Sequence, residues 1–473
     1  MNSRANYEIG MVGLGVMGRN LLLNMADNGY SVAGYDADLT KVKALRKEAE
    51  HRDIRGAENL AELASLLRAP RAVILLVPAG TPVDAVIKDL LPLLSPGDLL
   101  IDGGNSHFKD TDLRTKALAD RSVLYMGVGI SGGEQGARRG PSIMAGGIPE
   151  AYARVRPLLE AVAAKANGEP CVAYLGSGSA GHYVKMVHNG IEYGLLELIA
   201  ETYDLMKRGL ALSDNELHTV YDTWNRSELS GYLLEITADI FCKSDDRGTG
   251  KRLVDVILDE ARQKGTGKWA SQDAMELQVP VPTLDMAVVM RDLSTYKTER
   301  EAASRVITGP VPEMPAGRAP FLRQLKQAFY AAMVITYAQG MALLFRASQA
   351  YGYGLKLEDV ARIWRAGCII RAGLLEDIRA AYYNQPALPN LLADPDLMRV
   401  VVDRQEALRE VVKRAVDSGI AVPALAVSLS YFDGYRSAWL PANLIQAQRD
   451  YFGAHTYERI DAKGIFHTRW ESE

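Results

Sequence analysis

The sequence contains little cysteine. Its 473 residues include three cysteines, Cys171, Cys242 and Cys368, whose wide spacing matches neither a disulfide framework nor a metal site. We therefore interpret them as small buried hydrophobic side chains, predict no bound metal and expect a reduced, cytoplasmic protein. The N-terminal residues also lack the charged, apolar and small-residue order of a secretion signal, which favours the same location.

The sequence also lacks an excess of one charge and, with one exception, long hydrophobic runs. The formal net charge is −4 and no basic patch stands out, so we expect no nucleic-acid partner. The one long apolar segment, residues 328–345, contains Thr336, Gln339 and Gly340. This composition favours a helix buried in a helical domain over a membrane span, so no membrane association is expected.

The chain is too long for one hydrophobic core, and its composition, 48% hydrophobic and 24% charged, is that of a globular protein. Up to about residue 178, short apolar runs such as "SVAGYD" and "AVILLVP" alternate with helical patterns, as in a parallel, doubly wound α/β sheet. Beyond it the pattern is helical. We predict an α/β domain over residues 1–178, an all-α domain over 179–437 and an aromatic C-terminal tail over 438–473.

A glycine-rich turn follows the first predicted strand and opens a helix. The spacing Gly13-x-Gly15-x-x-Gly18 permits a tight turn and lets a pyrophosphate approach the backbone at the helix N-terminus. This context predicts a Rossmann-like dinucleotide site, and a glycine turn without a ligand is the alternative. The residues expected at the cofactor are Gly13, Leu14, Gly15, Val16, Met17 and Gly18.

The second predicted strand ends at Asp36, 18 residues beyond Gly18, where an acidic side chain can accept hydrogen bonds from the ribose hydroxyls of NAD. At about 4 Å, the 2′-phosphate of NADP would be repelled by ~1 kcal/mol in water and ~4 kcal/mol at a protein surface. Asp38 adds to this repulsion, and we assign Lys41 and Lys43 to the solvated face of the next helix. NAD is therefore the predicted cofactor, with helix N-capping by Asp36 as the alternative explanation.

Three further segments follow predicted strands, at the edge where open α/β sheets bind ligands. They are "VPAGTPVD", "DGGNSHFKDT" and "GISGGEQGARRGPSIMAGG", the last of which we interpret as one glycine-rich loop. Each residue alone is more typical of a turn, but on one sheet edge together they indicate a site. The residues expected at the cofactor in these segments are Val77, Pro78, Ala79 and Asn105, and the candidates for binding the substrate are Asn105, Ser131, Gly132 and Gly133.

The segment "GHYVKMVHNGIEYG", residues 181–194, places polar side chains on one face of a predicted helix. Lys185, His188, Asn189 and Glu192 occupy positions i, i+3, i+4 and i+7. Burial favours the neutral form of both lysine and glutamate, so that Lys185 can act as a base and Glu192 as an acid. A solvated amphipathic face is the alternative, and a histidine such as His188 is by itself more typical of a structural hydrogen bond.

Two later segments, "QKGTGKW" and "VVMRDLS", contain Lys264, Thr266 and Arg291. Positive charge, a hydroxyl and backbone amides are the groups that bind a phosphate monoester. The alternative is a helix C-cap and a surface arginine.

Together with "RDYFGAHTYE" near the C-terminus, these motifs resemble the 6-phosphogluconate dehydrogenase family over nearly the whole chain. The resemblance implies oxidative decarboxylation of 6-phospho-D-gluconate to D-ribulose 5-phosphate and CO2, without a metal, in the pentose phosphate pathway. It also implies a homodimer in which Arg449 and His455 reach the active site of the partner subunit from the tail. Lys185 would be the base and Glu192 the acid. The implied substrate-binding residues of the chain itself are Asn105, Ser131, Gly132, Gly133, His188, Asn189, Tyr193, Lys264, Thr266 and Arg291.

One departure from the family concerns the cofactor. Members that use NADP mostly carry Asn-Arg-Thr where this chain has Asp36-Ala37-Asp38, and a lysine where it has Pro78. Both replacements remove groups suited to the adenosine end of NADP and favour NAD.

Two other functions stay open at this point. A shorter β-hydroxyacid dehydrogenase would share the glycine loop and the lysine helix but would lack KGTGKW and the RDYFGAHTYE tail. A non-catalytic dinucleotide-binding scaffold would show no turnover with 6-phosphogluconate.

Overall fold

The computed structural model of the protein describes residues 7–312 and 317–470. The first six residues of the predicted α/β domain, residues 313–316 of the predicted helical domain and the last three residues of the predicted tail lie outside this description.

The N-terminal part contains an eight-stranded sheet with the strand order β10-β7-β6-β5-β4-β1-β2-β3. Strands β1 to β6 pair in parallel, whereas β7 is antiparallel to β6 and parallel to β10. The strands are β1 (Ile9–Val12), β2 (Val32–Tyr35), β3 (Ile54–Gly56), β4 (Ala72–Leu75), β5 (Leu99–Asp102), β6 (Leu124–Ser131), β7 (Ser142–Gly146) and β10 (Val172–Gly176), with a separate hairpin of β8 (Lys165–Ala166) and β9 (Glu169–Pro170).

Helices cover both faces of this sheet, which explains why its strands are continuously apolar. In β4, Ala72 and Ile74 point into one apolar cluster, and Val73 and Leu75 point into another on the opposite face. The predicted Rossmann-like, doubly wound fold is confirmed. Its helices are α1 (Val16–Asp27), α2 (Leu39–Glu48), α3 (Leu60–Leu66), α4 (Thr81–Leu90) with a 3₁₀ turn at Leu91–Leu93, α5 (Phe108–Ala119), α6 (Gly133–Arg139) and α7 (Pro149–Val162).

The segment that the sequence suggested as one glycine-rich loop is instead the helix α6 followed by the strand β7, and that prediction was wrong. The strand is the short apolar run "SIMAG", and Gly140 and Gly147 on either side of it have φ values of +134° and +130°. These glycines are needed at the chain reversals that flank the strand rather than in a continuous loop. Strands β3, β7, β8, β9 and β10 were not among the strands predicted from the sequence.

From Ala180 onward the described chain is helical up to the tail. The long helices α8 and α14 pack against each other, and α8 also contacts β6 and β7 of the sheet. The helices are α8 (Ala180–Asp204) with a π turn at Leu205–Gly209, α9 (Asp214–Asn225), α10 (Tyr232–Cys242), α11 (Thr266–Glu276), α12 (Pro282–Ser294), α13 (Lys297–Ser304), α14 (Arg318–Tyr351), α15 (Leu357–Trp364), α16 (Leu374–Asn384), α17 (Pro395–Val402), α18 (Gln405–Asp417) and α19 (Pro423–Tyr435), with 3₁₀ turns at Leu253–Val256 and Leu391–Ala393.

Helix α14 contains the apolar segment noted in the sequence. It is long and apolar enough to cross a membrane by length and composition, but 94% of its most apolar window is buried inside the protein. Such burial is typical of a core helix, because the apolar side chains already have protein neighbours. Of the cysteines, Cys171 and Cys368 are buried as predicted. Cys242 is exposed, contrary to the prediction, because it is the last residue of α10.

The tail consists of the helix α20 (Ala442–Gly453) and a two-stranded hairpin of β11 (Tyr457–Glu458) and β12 (Ile465–Phe466). Many of its apolar side chains are exposed, among them Trp439, Leu444, Ile445 and Phe452. Large apolar side chains exposed within one segment are typical of surfaces that contact other proteins.

Candidate active site

The glycine turn between β1 and α1 has the shape that a dinucleotide pyrophosphate needs. Gly13 has a φ of +100°, and a Cβ on Gly18 would lie 1.9 Å from the carbonyl oxygen of Gly13. A Cβ on Gly15 would meet nothing within 4 Å, and Gly15 caps α1 without a side-chain hydrogen bond. The first amide groups of α1 therefore face open space at the positive end of a helix, where an anionic group can bind.

The Asp36 carboxylate lies beside this turn. Its Oδ2 atom accepts a hydrogen bond of 2.7 Å from the Leu14 amide, and its Oδ1 atom lies 3.3 Å from the Lys41 ammonium. The Lys41 side chain, 41% exposed, lies on α2 as expected and also folds back onto Asp36, a contact that the sequence did not indicate. Lys43 is exposed, as expected. The N-cap of α2 is Asp38, which accepts from the Thr40 amide, so that Asp36 does not have the capping role.

A cleft of about 730 Å³ lies at the carboxyl ends of the strands, between the sheet and the helical part. It brings together four segments that are separate in sequence: the glycine turn, the loop after β4, the loop after β5 and the start of α11. The residues that line it are Met17, Leu76, Val77, Pro78, Ala79, Gly80, Gly103, Gly104, Asn105, Asp110, Ile130, Lys264, Thr266 and Trp269.

The two loops that follow β4 and β5 are joined by the buried guanidinium of Arg114. It donates to the Gly80 carbonyl at 3.1 Å on the first loop, to Asp84 at 2.7 Å in the first turn of α4, and to Ser106 at 3.1 Å on the second loop. The fully buried Asp102 accepts from Ser106 at 2.6 Å and lies 3.4 Å from Arg114. These bonds fix the shape of the wall that carries Ala79 and Asn105. Nothing in the sequence around Arg114 indicated this role, whereas the position of Asp102 at the end of a buried strand was a usable signal.

A chain of hydrogen bonds connects the sheet, α8 and α11 beside the cleft. Ser131 lies 3.2 Å from His188 Nε2, His188 Nδ1 lies 3.1 Å from Asn189 Oδ1, and the Asn189 amide donates to the Thr266 hydroxyl at 3.0 Å. Because Asn189 Oδ1 can only accept, His188 carries its proton on Nδ1, and Ser131 donates to Nε2. Burial, with Lys185 nearby, holds the pKa of His188 well below its ordinary value, so this imidazole stays neutral.

Lys185 lies one turn before His188 and is buried where α8 crosses β6. The approach is close, since a Cβ on Gly129 would lie 2.4 Å from the Lys185 Cβ atom. Burial lowers the pKa of Lys185, although Glu192 opposes the shift. Burial also raises the pKa of Glu192, against the effect of Lys185 and Arg291. Both shifts favour the neutral forms, an amine that can take a proton and a carboxylic acid that can give one.

The polar face of α8 continues into a cationic region. The Arg291 guanidinium stacks on the Tyr193 ring, 3.4 Å from its centroid, and the backbone of α11 packs against the same ring at Gly267. Lys264 is exposed at the mouth of the cleft. The ring of Tyr193, on α8, thus holds the guanidinium of Arg291, which belongs to α12.

Gly132 and Gly133 start α6, directly after Ser131. A Cβ on Gly132 would lie 2.4 Å from the Gly367 carbonyl, whereas a Cβ on Gly133 would meet nothing within 4 Å. Gly132 therefore packs closely against Gly367, whereas Gly133 faces open space, where a ligand can approach the backbone.

The structure of a single chain leaves two of the predicted site residues apart from this cleft. Arg449 is exposed on α20 and donates to Gln446 in the same helix at 3.0 Å. His455 is exposed and lies edge-on to Phe452, with ring centroids 6.0 Å apart. Within residues 7–312 and 317–470, no group of three or more His, Cys, Asp or Glu side chains is placed to hold a metal ion.

Comparison with known proteins covers both parts of the chain. The family model described as the NAD binding domain of 6-phosphogluconate dehydrogenase matches residues 8–176, and the model of its C-terminal domain matches residues 181–470. The chain belongs to the 6-phosphogluconate dehydrogenase family. The C-terminal match includes KGTGKW and RDYFGAHTYE, the two segments that a shorter β-hydroxyacid dehydrogenase would lack.

Individual relatives match over nearly their full length. The decarboxylating 6-phosphogluconate dehydrogenase of Synechococcus elongatus is 51% identical, over 98% of this chain and 100% of the relative. A protein of Bacillus subtilis named as the NADP(+)-dependent, decarboxylating enzyme is 50% identical, over 98% of this chain and 99% of the relative. The solved structure of the Plasmodium falciparum 6-phosphogluconate dehydrogenase superposes with a TM-score of 0.93 at 41% identity, covering 98% and 100% of the two chains.

Proposed function

We propose that this protein catalyses the oxidative decarboxylation of 6-phosphogluconate to ribulose 5-phosphate and CO2, as part of the pentose phosphate pathway in the cytoplasm. The observation that carries the proposal is the pairing of Lys185 and Glu192 on one buried helix face, both held toward the neutral form, beside a cleft that also contains the glycine turn and the KGTG turn. The full-length match to relatives named for this activity supports it.

In the first step, neutral Lys185 accepts the proton of the C3 hydroxyl as the C3–H bond breaks. A bound nicotinamide dinucleotide supplies the acceptor for the hydride that leaves C3. The burial of Lys185 is what makes it a base near neutral pH, because the same burial that disfavours its charged form leaves the lone pair free. Neutral His188, with Ser131, can orient the sugar acid without adding a second positive charge next to Lys185.

In the second step, the C1–C2 bond of the β-keto acid breaks and CO2 leaves. The electron pair moves into the C3 carbonyl, and protonated Lys185 returns its proton to the C3 oxygen, which gives an enediol. Glu192 then donates a proton to the carbon that was C2 of the substrate and becomes C1 of ribulose 5-phosphate. In the same step neutral Lys185 accepts the proton of the hydroxyl on the former C3, which becomes the C2 ketone of the product. The raised pKa of Glu192 keeps this proton available.

The remaining residues are proposed to hold the substrate. Asn105, Gly132, Gly133 and Asn189 would bind its hydroxyl and carboxylate groups. The phosphate would be bound by Tyr193, Lys264, Thr266 and Arg291, which supply a guanidinium, an ammonium and hydroxyl groups. Arg449 and His455 would complete this site from the tail of the partner subunit in a homodimer, which the exposed apolar side chains of α20 support.

The test is an assay of the purified chain with 6-phosphogluconate and each dinucleotide. Release of CO2 and formation of ribulose 5-phosphate in equal amounts, with much lower efficiency for gluconate, which lacks the phosphate, is the expected result. Absence of turnover with both dinucleotides would contradict the proposal and favour a non-catalytic scaffold.

We further propose that NAD is preferred over NADP. The bond from the Leu14 amide holds the Asp36 carboxylate next to the glycine turn, where it would bind the adenosine ribose hydroxyls and repel a 2′-phosphate. Lys41 opposes part of this repulsion. We expect a higher kcat/KM for NAD, and an increase of about tenfold in the NADP to NAD ratio for Asp36→Asn, within the range that charge repulsion allows.

The matched variant is Lys41→Ala, which leaves Asp36 in place and should lower the same ratio. A higher kcat/KM for NADP than for NAD in the unmodified protein would show that the preference is wrong.

A further inference from the structure

The tail contains one buried carboxylate in a segment that is otherwise exposed. Asp450, in the last turn of α20, has no exposed surface. Its Oδ1 atom accepts from the Thr456 amide at 3.0 Å and from His467 Nδ1 at 2.9 Å. Its Oδ2 atom accepts from the Thr468 amide at 3.0 Å and from Trp470 Nε1 at 2.8 Å. A carboxylate has about four lone-pair positions, so the side chain is fully used within the tail.

The turn that Asp450 holds is strained on both sides of His455. Ala454 has a φ of +49° and Thr456 a φ of +61°, both in the left-handed region. Residues other than glycine rarely adopt this conformation, and for a β-branched residue such as threonine it is an outlier that the surroundings must impose. These two residues set the course of the backbone on either side of His455, and the hydrogen bond from the Thr456 amide to Asp450 holds it.

We infer that Asp450 is a positioning residue, which holds the turn from Arg449 to Thr456 in the conformation that presents Arg449 and His455 to the phosphorylated sugar acid in the partner's cleft. This inference rests on the function proposed above. Asp450 itself touches no substrate, since all its acceptor positions are occupied by tail residues. The neighbouring Arg449 guanidinium and the His455 imidazole stay exposed and available.

The first test is Asp450→Asn in the full-length protein, because asparagine has nearly the same shape but can accept fewer than four hydrogen bonds. We expect the KM for 6-phosphogluconate to rise about tenfold, in line with the loss of charge-assisted hydrogen bonds. The KM for the dinucleotide should not change, because the glycine turn belongs to another part of the chain. The matched control is Asp461→Asn, an exposed tail carboxylate that pairs with Arg459, and its kinetics should equal those of the unmodified protein.

The second test distinguishes a role of Asp450 in positioning the turn from a role in stabilising the tail as a whole. Thr456→Gly, placed in the Asp450→Asn chain, relieves the backbone strain at the left-handed position and should restore part of the lost affinity for substrate. If Asp450 only stabilised the dimer, adding Thr456→Gly would not lower the raised KM for 6-phosphogluconate. If the Asp450→Asn protein does not assemble, Trp470→Phe replaces it as the test variant. This change removes one donor to Asp450 but keeps an aromatic ring, and it should raise the KM for 6-phosphogluconate by a smaller factor than that expected for Asp450→Asn.

The outcomes distinguish this inference from the function on which it rests. If Arg449→Ala and His455→Ala leave the KM for 6-phosphogluconate unchanged, the proposed shared site is wrong. If those two variants raise the KM but Asp450→Asn does not, or if its effect is not relieved by Thr456→Gly, the positioning role alone is wrong.

Discussion

Helices α8 and α20 carry the polar groups proposed for the reaction in opposite surroundings. Helix α8 crosses the sheet and is enclosed by α11, α12 and α14, so that even Lys185 and His188 are buried. On α20, Leu444, Ile445 and Phe452 are 60%, 59% and 73% exposed. The difference shows that a single chain supplies the low-polarity environment that changes proton affinities on α8, whereas the apolar side chains of α20 stay exposed in it.

Two buried carboxylates make the same contrast. Glu201, near the end of α8, accepts hydrogen bonds from the Ala424 and Leu425 amides, yet its burial raises its pKa to about 8. Asp450 is also withdrawn from water, which disfavours its charged form, but hydrogen bonds from His467, Thr468, Trp470 and Thr456 hold its pKa well below the usual range. Two amide donors deep in the protein do not offset desolvation, whereas four donors in a thin tail do.

The largest expected effect tests the environment of α8. Lys185→Met keeps a long side chain in the buried position but removes the base, so kcat should fall by about 10³-fold. Dinucleotide binding, measured by titration calorimetry, should be unchanged because the glycine turn is not altered. A kcat near that of the unmodified protein would contradict the role of Lys185 as the base, and α8 would then be only a core helix.

A second variant tests whether the acid on α8 depends on the position of Glu192 or whether any buried glutamate of this helix could serve. Glu192→Gln should lower the formation of ribulose 5-phosphate by about 10²-fold, because protonation of the enediol loses its donor. Glu197 is the matched control, since it lies on the same helix and burial raises its pKa to about 7. Glu197→Gln should change kcat by no more than about twofold. Equal losses in the two variants would contradict the role of Glu192.

The contrast between the helices also predicts complementation between subunits. A Lys185→Ala chain and an Arg449→Ala chain are each defective, but a mixed dimer joins intact Lys185 from one chain to the intact tail of the other. After unfolding and refolding equal amounts together, about a quarter of the sites should be intact, as expected for random pairing in a twofold dimer. Activity no higher than that of the separate variants would show that the tail acts within its own chain or not at all.

The smallest expected effect concerns stability and pH. Between pH 4.5, the ordinary pKa of glutamate, and about 8, the folded chain retains the Glu201 proton that the unfolded chain has released. The free energy of unfolding should therefore fall as the pH rises through this interval. Glu201→Gln removes this dependence, so its Tm relative to the unmodified protein should increase by about 2–4 °C from pH 5 to pH 8. A constant difference in Tm would mean that Glu201 is ionised in the folded protein.

Much of the fold and part of the site could be predicted from local pattern. The apolar strands, the Gly13 to Gly18 turn and the i, i+3, i+4, i+7 face of α8 are each encoded in a short stretch of sequence. Helix α6 and strand β7 were missed because glycine-rich sequence is typical of loops, and only pairing with β6 makes "SIMAG" a strand. The clamp formed by Arg114 was missed for a similar reason, since its partners Gly80, Asp84 and Ser106 lie 34, 30 and 8 residues away.

The sequence by itself determined which residues share a face or a turn, because helical and strand periodicity are local. It placed Lys185 and Glu192 two turns apart and the glycines at the start of α1. Only the tertiary structure decided which of these groups are buried, that Lys41 folds onto Asp36, and that Asp450 is enclosed by residues up to Trp470. The physical reason is that desolvation and charge pairing depend on neighbours distant in sequence, and these set the protonation states on which the proposed chemistry depends.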